Sequence, residues 1–163
     1  MGPSHAKVRQ AVWIGLLAAL LETVKMVLAP LPNVELVTFL VVVFTKRFGW
    51  KISLPAVIVF TLFEMIWHGG GIWVASYLFV WPLLVLLTTF MKSEDLIINA
   101  VFCGMFGLCF GALCAIITWI VMGFRAAVAW WIAGLVFDVV HGISNFIVCL
   151  CMYKPCMRAL ARL

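Results

Sequence analysis

Polar side chains are rare within the long apolar runs of this sequence, and those present recur every three or four residues. They form three groups: Glu22 with Lys25, Glu64 with His68, and Asp138 with His141 and Asn145. This spacing puts the members of each group on one face of a helix. Carboxylates, imidazoles and amides at membrane depth can neutralise one another, bind a polar ligand, or serve acid–base or metal chemistry.

The composition determines what surrounds these groups. The chain has 163 residues, of which 67% are hydrophobic and 10% charged, and its mean hydropathy is +1.24. A soluble domain is roughly half apolar and a quarter charged. A soluble single domain is therefore excluded, because a chain of this size cannot bury so much apolar surface in water. We expect one integral membrane domain over residues 1–163, with the lipid bilayer as its solvent.

The sequence divides at its charges and its Gly and Pro clusters into six apolar segments, which predict an all-α membrane protein with six transmembrane helices. A barrel is disfavoured because the segments lack a polar face of period two. The second segment is short, so it is either a partial span packed inside the bundle or a helix that begins before Asn33. The segments cover roughly residues 10–29, 34–45, 52–67, 72–90, 96–121 and 127–152.

The distribution of Lys and Arg predicts the orientation of these helices. With the N-terminus inside, nine of the 11 basic residues are cytoplasmic, Arg125 lies outside and Lys25 lies within the first span. Both termini are then cytoplasmic. Because the basic residues lie at helix ends, as insertion requires, nucleic acid is not an expected partner. The nine are Lys7, Arg9, Lys46, Arg47, Lys51, Lys92, Lys154, Arg158 and Arg162.

In this topology the polar groups of four helices lie in the outer half of the bundle, where aromatic residues are also frequent. One interpretation is a set of neutralising pairs and an interfacial aromatic belt. The other is a pocket that opens outward and orients a water-soluble ligand. The candidate substrate-binding residues are Asn33, Glu35, Glu64, His68, Trp73, Tyr77, Trp130, Asp138, His141 and Asn145.

Small residues form stripes on two of the predicted helices. Ala11, Gly15 and Ala19 recur every four residues on the first helix, a pattern that lets another helix approach closely in lipid. One stripe could serve internal packing and the other a partner, and spacing alone leaves the assignment open. The fifth helix repeats the pattern with Gly104, Gly107, Gly111 and Ala115.

Six cysteines lie in or beside the last two segments. They form no CxxC pair, and most fall at hydrocarbon depth. We expect reduced, apolar side chains rather than disulfides or ligands of a metal.

Several stretches of the chain resemble the S components of energy-coupling factor (ECF) transporters. They are the small-residue stripe of the first helix, the segments 31–38, 71–82 and 134–146, and the Lys-Pro pair at 154–155. The resemblance spans nearly the whole chain. Gly15 stands where the family usually has alanine, which is sterically permissive.

The resemblance implies a non-catalytic subunit in a prokaryotic plasma membrane that captures a vitamin or related micronutrient from outside. A transmembrane scaffold subunit and two cytoplasmic ATPases would use ATP, while this chain binds no cofactor. The stripe Ala11, Gly15 and Ala19 would then dock to the scaffold, and toppling of the whole subunit would deliver the ligand. The loops at 29–33, 68–71 and 122–126 would act as gates.

The ligand is left open among cobalamin, a pyridoxine-like ring, thiamine, riboflavin and a nucleobase-like compound. The segments 32–35 and 137–141 favour cobalamin by resemblance. Two other classes of protein are alternatives: a non-transporting six-span scaffold of the cell-shape machinery, and an intramembrane enzyme. The enzyme would use Glu64, His68, Asp138 and His141 as an acid–base or metal site.

Overall fold

The computed structural model describes residues 3–31 and 34–162, and every regular element within these ranges is an α-helix. These ranges contain six helices, so the predicted number of helices is confirmed, although not the prediction that all six cross the membrane. All the helices except α2 are long and apolar enough to cross a membrane, so the protein has the architecture of a multi-pass helical membrane protein. The helices are α1 Pro3–Leu28, α2 Val37–Phe48, α3 Trp50–His68, α4 Ile72–Phe90, α5 Leu96–Met122 and α6 Phe124–Leu160.

Helix α2 is a partial span packed inside the bundle. Its 12 residues extend for about 18 Å, which is short of the ~30 Å hydrocarbon core. The run from Val37 to Thr45 is buried, and α2 contacts each of the other five helices. The alternative of a helix that begins before Asn33 is wrong, because α2 begins at Val37.

Three helices end at glycines whose φ angles fall in the left-handed region. These are Gly49 after α2, Gly69 after α3 and Gly123 after α5, with φ of 78°, 82° and 88°. Other residue types are strained in this conformation, so glycine is the residue that allows the chain to reverse there. Only Gly123 separates α5 from α6, although the sequence analysis expected a loop over 122–126.

One end of the bundle, here called the basic end, gathers the end of α2, the α4–α5 connection and the last turns of α6. Lys46 Nζ donates hydrogen bonds to the carbonyl oxygens of Met91 and Ser93 at 3.0 and 2.7 Å. Arg47 Nε donates to the carbonyl oxygen of Leu160 at 2.9 Å. Burial lowers the pKa of Lys46, although the nearby carboxylate of Glu94 opposes the shift.

The glycines of α5 let that helix pack directly against α6. A Cβ atom added to Gly107 would lie 2.9 Å from the Cα of Gly142, and one added to Gly104 would lie 3.0 Å from the Cβ of Phe146. A Cβ at Gly111 would collide with the carboxylate of Asp138. The α5 stripe therefore serves internal packing, which was one of the two uses that its spacing allowed.

The stripe on α1 has a different environment. Ala11, Gly15 and Ala19 are exposed, and a Cβ added to Gly15 would meet no described atom within 4 Å. Gly15 and Ala19 border an apolar groove of about 340 Å³ between α1 and α3, whose far wall includes Val59 and Phe63. This face of α1 is therefore accessible to another molecule.

We predict that Gly107→Leu destabilises the protein because its side chain would push α6 away from α5. The expected cost is about 1–3 kcal/mol, the range for overpacking an interior site. Gly134→Leu on α6 is the matched control, since an added Cβ there meets nothing within 4 Å. Thermal unfolding in detergent compares the two, and equal midpoints would contradict the close α5–α6 contact.

Candidate functional site

A cavity of about 470 Å³ opens at the end of the bundle opposite the basic end. It lies where α1 and α3 finish and α4 begins, beside the three-glycine connection Gly69–Gly71. Charged and aromatic side chains line it together, which is the combination that orients a polar ring-containing ligand. The lining residues are Lys25, Met26, Ala29, Glu64, Trp67, His68, Trp73 and Tyr77.

The main electrostatic contact of the cavity is an ion pair between Lys25 on α1 and Glu64 on α3. Lys25 Nζ is hydrogen-bonded to Glu64 Oε2, and the side chains are 30% and 1% exposed. His68 Nε2 lies 3.9 Å from the other carboxylate oxygen, Oε1. A pair of this kind offsets the cost of placing each charge among apolar helices, and it joins α1 to α3.

Glu22 adds a second carboxylate beside this pair. It is 7% exposed and faces Glu64. Neither of its oxygens receives a hydrogen bond from a described residue, and the same holds for Glu64 Oε1. The neighbourhood of the cavity therefore offers more acceptor atoms than the described part of the chain provides donors for.

Aromatic rings form a layer below the cavity. Trp73 and Tyr77 are in edge contact with ring centroids 5.5 Å apart, and Tyr77 contacts Trp81 at the same separation. Phe110 continues the layer on α5, with its centroid 6.4 Å from that of Tyr77 and 4.9 Å from that of His141. The layer separates the cavity from the polar residues of α6.

A second polar cluster lies behind this layer. His141 Nε2 is 2.9 Å from Glu35 Oε1, and Glu35 Oε2 accepts a hydrogen bond from the backbone N–H of Thr38 at 2.9 Å. Asp138 Oδ1 accepts from the backbone N–H of Gly111 at 2.9 Å. These bonds attach the α1–α2 connection and α5 to α6.

Glu35 lies in the connection before α2, outside the five spans, and its pKa is below the ordinary carboxyl value. Burial acts to raise the pKa, but the hydrogen bond and charge of His141, with the bonds from Thr38, outweigh it. Glu35 is therefore held as a carboxylate by the groups that it joins.

The candidate substrate-binding residues thus divide between two places. The cavity contains Glu64, His68, Trp73 and Tyr77. Trp130 is exposed on α6 away from the cavity, and Asn33 lies outside the described residues. The second cluster contains Glu35, Asp138 and His141, with Asn145 fully buried on the same face of α6.

Four residues that line the cavity were not among the candidates from the sequence. The most important of them is Lys25, because it is charged. The other three are Met26, Ala29 and Trp67. A signal for Lys25 was present in the sequence, since a lone basic residue inside an apolar span marks a functional position by default. Nothing in the spacing distinguished Trp67 from an interfacial aromatic residue.

Within residues 3–31 and 34–162, no three His, Cys, Asp or Glu side chains lie close enough together to hold a metal ion. All six cysteines are free, and Cys103, Cys114 and Cys149 are buried. Comparisons of the chain with protein family models, curated proteins and solved structures find no match. The chemistry of the cavity is therefore argued from its own residues.

We predict that Glu35 contributes stability that is lost at acidic pH. Because its pKa is depressed in the folded state, the contribution is present above the ordinary value of about 4.5 and disappears as the pH falls through the lower folded value. Unfolding midpoints of wild type and Glu35→Gln in detergent should differ near neutrality and converge in acid. A constant difference at every pH would contradict the ionised contact with His141.

Proposed function

We propose that this protein is the substrate-binding membrane subunit of an ECF-type transporter, which captures a small water-soluble vitamin or related micronutrient from outside the cell. The observation that carries the proposal is the open cavity, in which an ion pair and an aromatic wall line the same space. Structural ion pairs need no adjoining space of this volume, whereas a ligand site does.

The orientation supports capture from outside. Lys46 and Arg47 lie at the basic end, and the ordinary bias of Lys and Arg puts such an end in the cytoplasm. Both termini are then cytoplasmic in a prokaryotic plasma membrane, and the cavity opens on the external side. A ligand would enter beside the flexible connection Gly69–Gly71, which is suited to a gate.

The cavity volume favours a ligand with one or two rings. At about 470 Å³ it falls in the lower half of the usual 300–1,000 Å³ range for small-molecule sites. Cobalamin carries a corrin ring and a nucleotide loop and is far larger than such a ligand. The residues whose resemblance suggested cobalamin, Glu35, Asp138 and His141, also lie outside the cavity. We therefore favour a thiamine-like, pyridoxine-like or nucleobase-like compound.

The exposed stripe of α1 supports the second part of the proposal, docking to a transmembrane scaffold subunit. Ala11, Gly15 and Ala19 would allow a scaffold helix to approach the backbone closely. Two cytoplasmic ATPases would bind the scaffold and hydrolyse ATP, while this chain acts by binding alone. Its apolar outer surface is compatible with toppling through lipid, since Lys and Arg at the helix ends can keep their charges at the interface.

The arrangement of the polar residues favours this proposal over an intramembrane enzyme. Glu64 and His68 lie at the cavity, but Asp138 and His141 lie beyond the aromatic layer. The four groups therefore cannot act on one substrate atom, as a shared acid–base or metal site requires. A non-transporting scaffold would fold the same way but would have no need of the cavity.

We predict that one vitamin binds the purified protein and that Trp73→Ala weakens its binding at least about tenfold, because an aromatic contact of about 1.5 kcal/mol is lost. Titration calorimetry against a panel of water-soluble vitamins measures this. Trp119→Ala is the matched control, since Trp119 is 56% exposed near the end of α5 and does not line the cavity. Failure of every vitamin to bind would overturn the proposed function.

We predict that Gly15→Trp abolishes co-purification with the scaffold subunit while vitamin binding persists. The indole would occupy the space that a scaffold helix needs. Gly134→Trp on α6 is the control, because it adds the same side chain where a Cβ is equally free of contacts. Loss of ligand binding in Gly15→Trp, with the complex intact, would contradict this docking face.

A further inference from the structure

Carboxyl oxygens outnumber hydrogen-bond donors beside the cavity. Glu22 and Glu64 are two carboxyl groups that face each other, and Lys25 Nζ is bonded to Glu64 alone. His68, the other lining residue besides Lys25 that can carry a positive charge, is 54% exposed and lies 3.9 Å from Glu64 Oε1. Of the four oxygens of these two carboxyl groups, only Glu64 Oε2 has a donor among the described residues, at the end of an apolar bundle where buried acceptors without donors are costly.

One of the carboxyl oxygens without a donor belongs to Glu64, which lines the cavity. Glu64 lines the cavity, is 1% exposed, and its Oε1 accepts no hydrogen bond from the described chain. Both oxygens of Glu22, which faces Glu64 and borders the α1–α3 groove, likewise lack a described donor. A buried carboxylate oxygen without a donor has a substantial desolvation cost, which a ligand that brings a positive charge or a donor would offset.

The aromatic residues of the cavity also favour a positively charged ligand. Lys25 Nζ already lies 4.9 Å from the ring centroid of Tyr77 and 5.8 Å from that of Phe60. Ring faces attract cations, and tryptophan does so most strongly. Trp67 and Trp73 line the rest of the cavity, so a ligand there meets rings suited to a positive charge.

We propose that the cavity selects an organic cation, namely a flat heterocycle or aromatic amine whose positive charge lies against Glu64, with Glu22 beside it, and whose ring stacks against Trp67, Trp73 or Tyr77. This inference rests on the proposed function and names the chemical class of its ligand. An anionic ligand is disfavoured because the charge of Lys25 is already engaged by Glu64. A neutral ligand that brings no donor would leave Glu64 Oε1 without a hydrogen bond.

The test uses three pyridine rings of nearly equal size and different charge: the N-methylpyridinium form of nicotinamide, nicotinamide itself and nicotinate. Thiamine, a cationic two-ring vitamin, is the fourth probe. Binding to the full-length protein in detergent is measured by calorimetry and by quenching of tryptophan fluorescence. We expect the two cations to bind more tightly than nicotinamide, and nicotinate to bind least.

Two charge variants should change cation affinity in opposite directions. Glu22→Gln removes the acidic group beside Glu64 but keeps the Lys25–Glu64 pair, and it should weaken binding of the cations about tenfold. Lys25→Gln removes the competing internal cation and should strengthen their binding by a similar factor. Glu94→Gln, 66% exposed at the basic end, is the control and should leave the affinities unchanged.

The outcomes separate this inference from the function on which it rests. Tightest binding by nicotinate or by a neutral vitamin, or affinity changes of reversed sign in the two variants, would overturn the selection of cations and leave the transporter proposal standing. Absence of binding by any vitamin, whatever its charge, would overturn both. Unfolding midpoints identify a misfolded variant; if Lys25→Gln is misfolded, the probe series and Glu22→Gln decide the question.

Discussion

The cost of burying charge among apolar helices governs the arrangement of this protein. Each ionisable side chain within the bundle needs a compensating group, and the chain supplies such groups mainly between helices rather than along one helix. Lys25 on α1 meets Glu64 on α3, and Glu35 before α2 meets His141 on α6. These contacts join four parts of the chain that are distant in sequence, since one links α1 to α3 and the other links the α1–α2 connection to α6.

The aromatic layer keeps these two polar contacts apart. Tyr77 touches the cation of Lys25 on one side and Phe110 on the other, and Phe110 packs against His141. A ligand in the cavity therefore reaches Glu64 but not Glu35. The cluster around His141 has a structural role, because its hydrogen bonds hold the α1–α2 connection and α5 against α6.

Local signals in the sequence predicted the helices better than they predicted the site. Segment 72–90 coincides with α4, since three glycines precede it and a charged connection follows. α2 begins at Val37, later than predicted, and α6 continues through Pro155 to Leu160. Spacing along one helix could not predict the partner of Lys25. Glu22 lies three residues away on the same helix, but Lys25 is hydrogen-bonded to Glu64 on α3.

The two small-residue stripes show most clearly what spacing leaves undetermined. On α5, Gly107 faces Gly142 on α6, so both backbones lack side chains at the point where they touch. On α1, Gly15 has no small residue opposite it, and the groove beside it is bounded on α3 by Val59 and Phe63. α3 therefore cannot approach the α1 backbone as closely as α6 approaches α5. A stripe becomes an internal contact only where a facing helix packs against it. At Gly15 no described atom does so, which leaves the α1 stripe available to a helix from outside the chain.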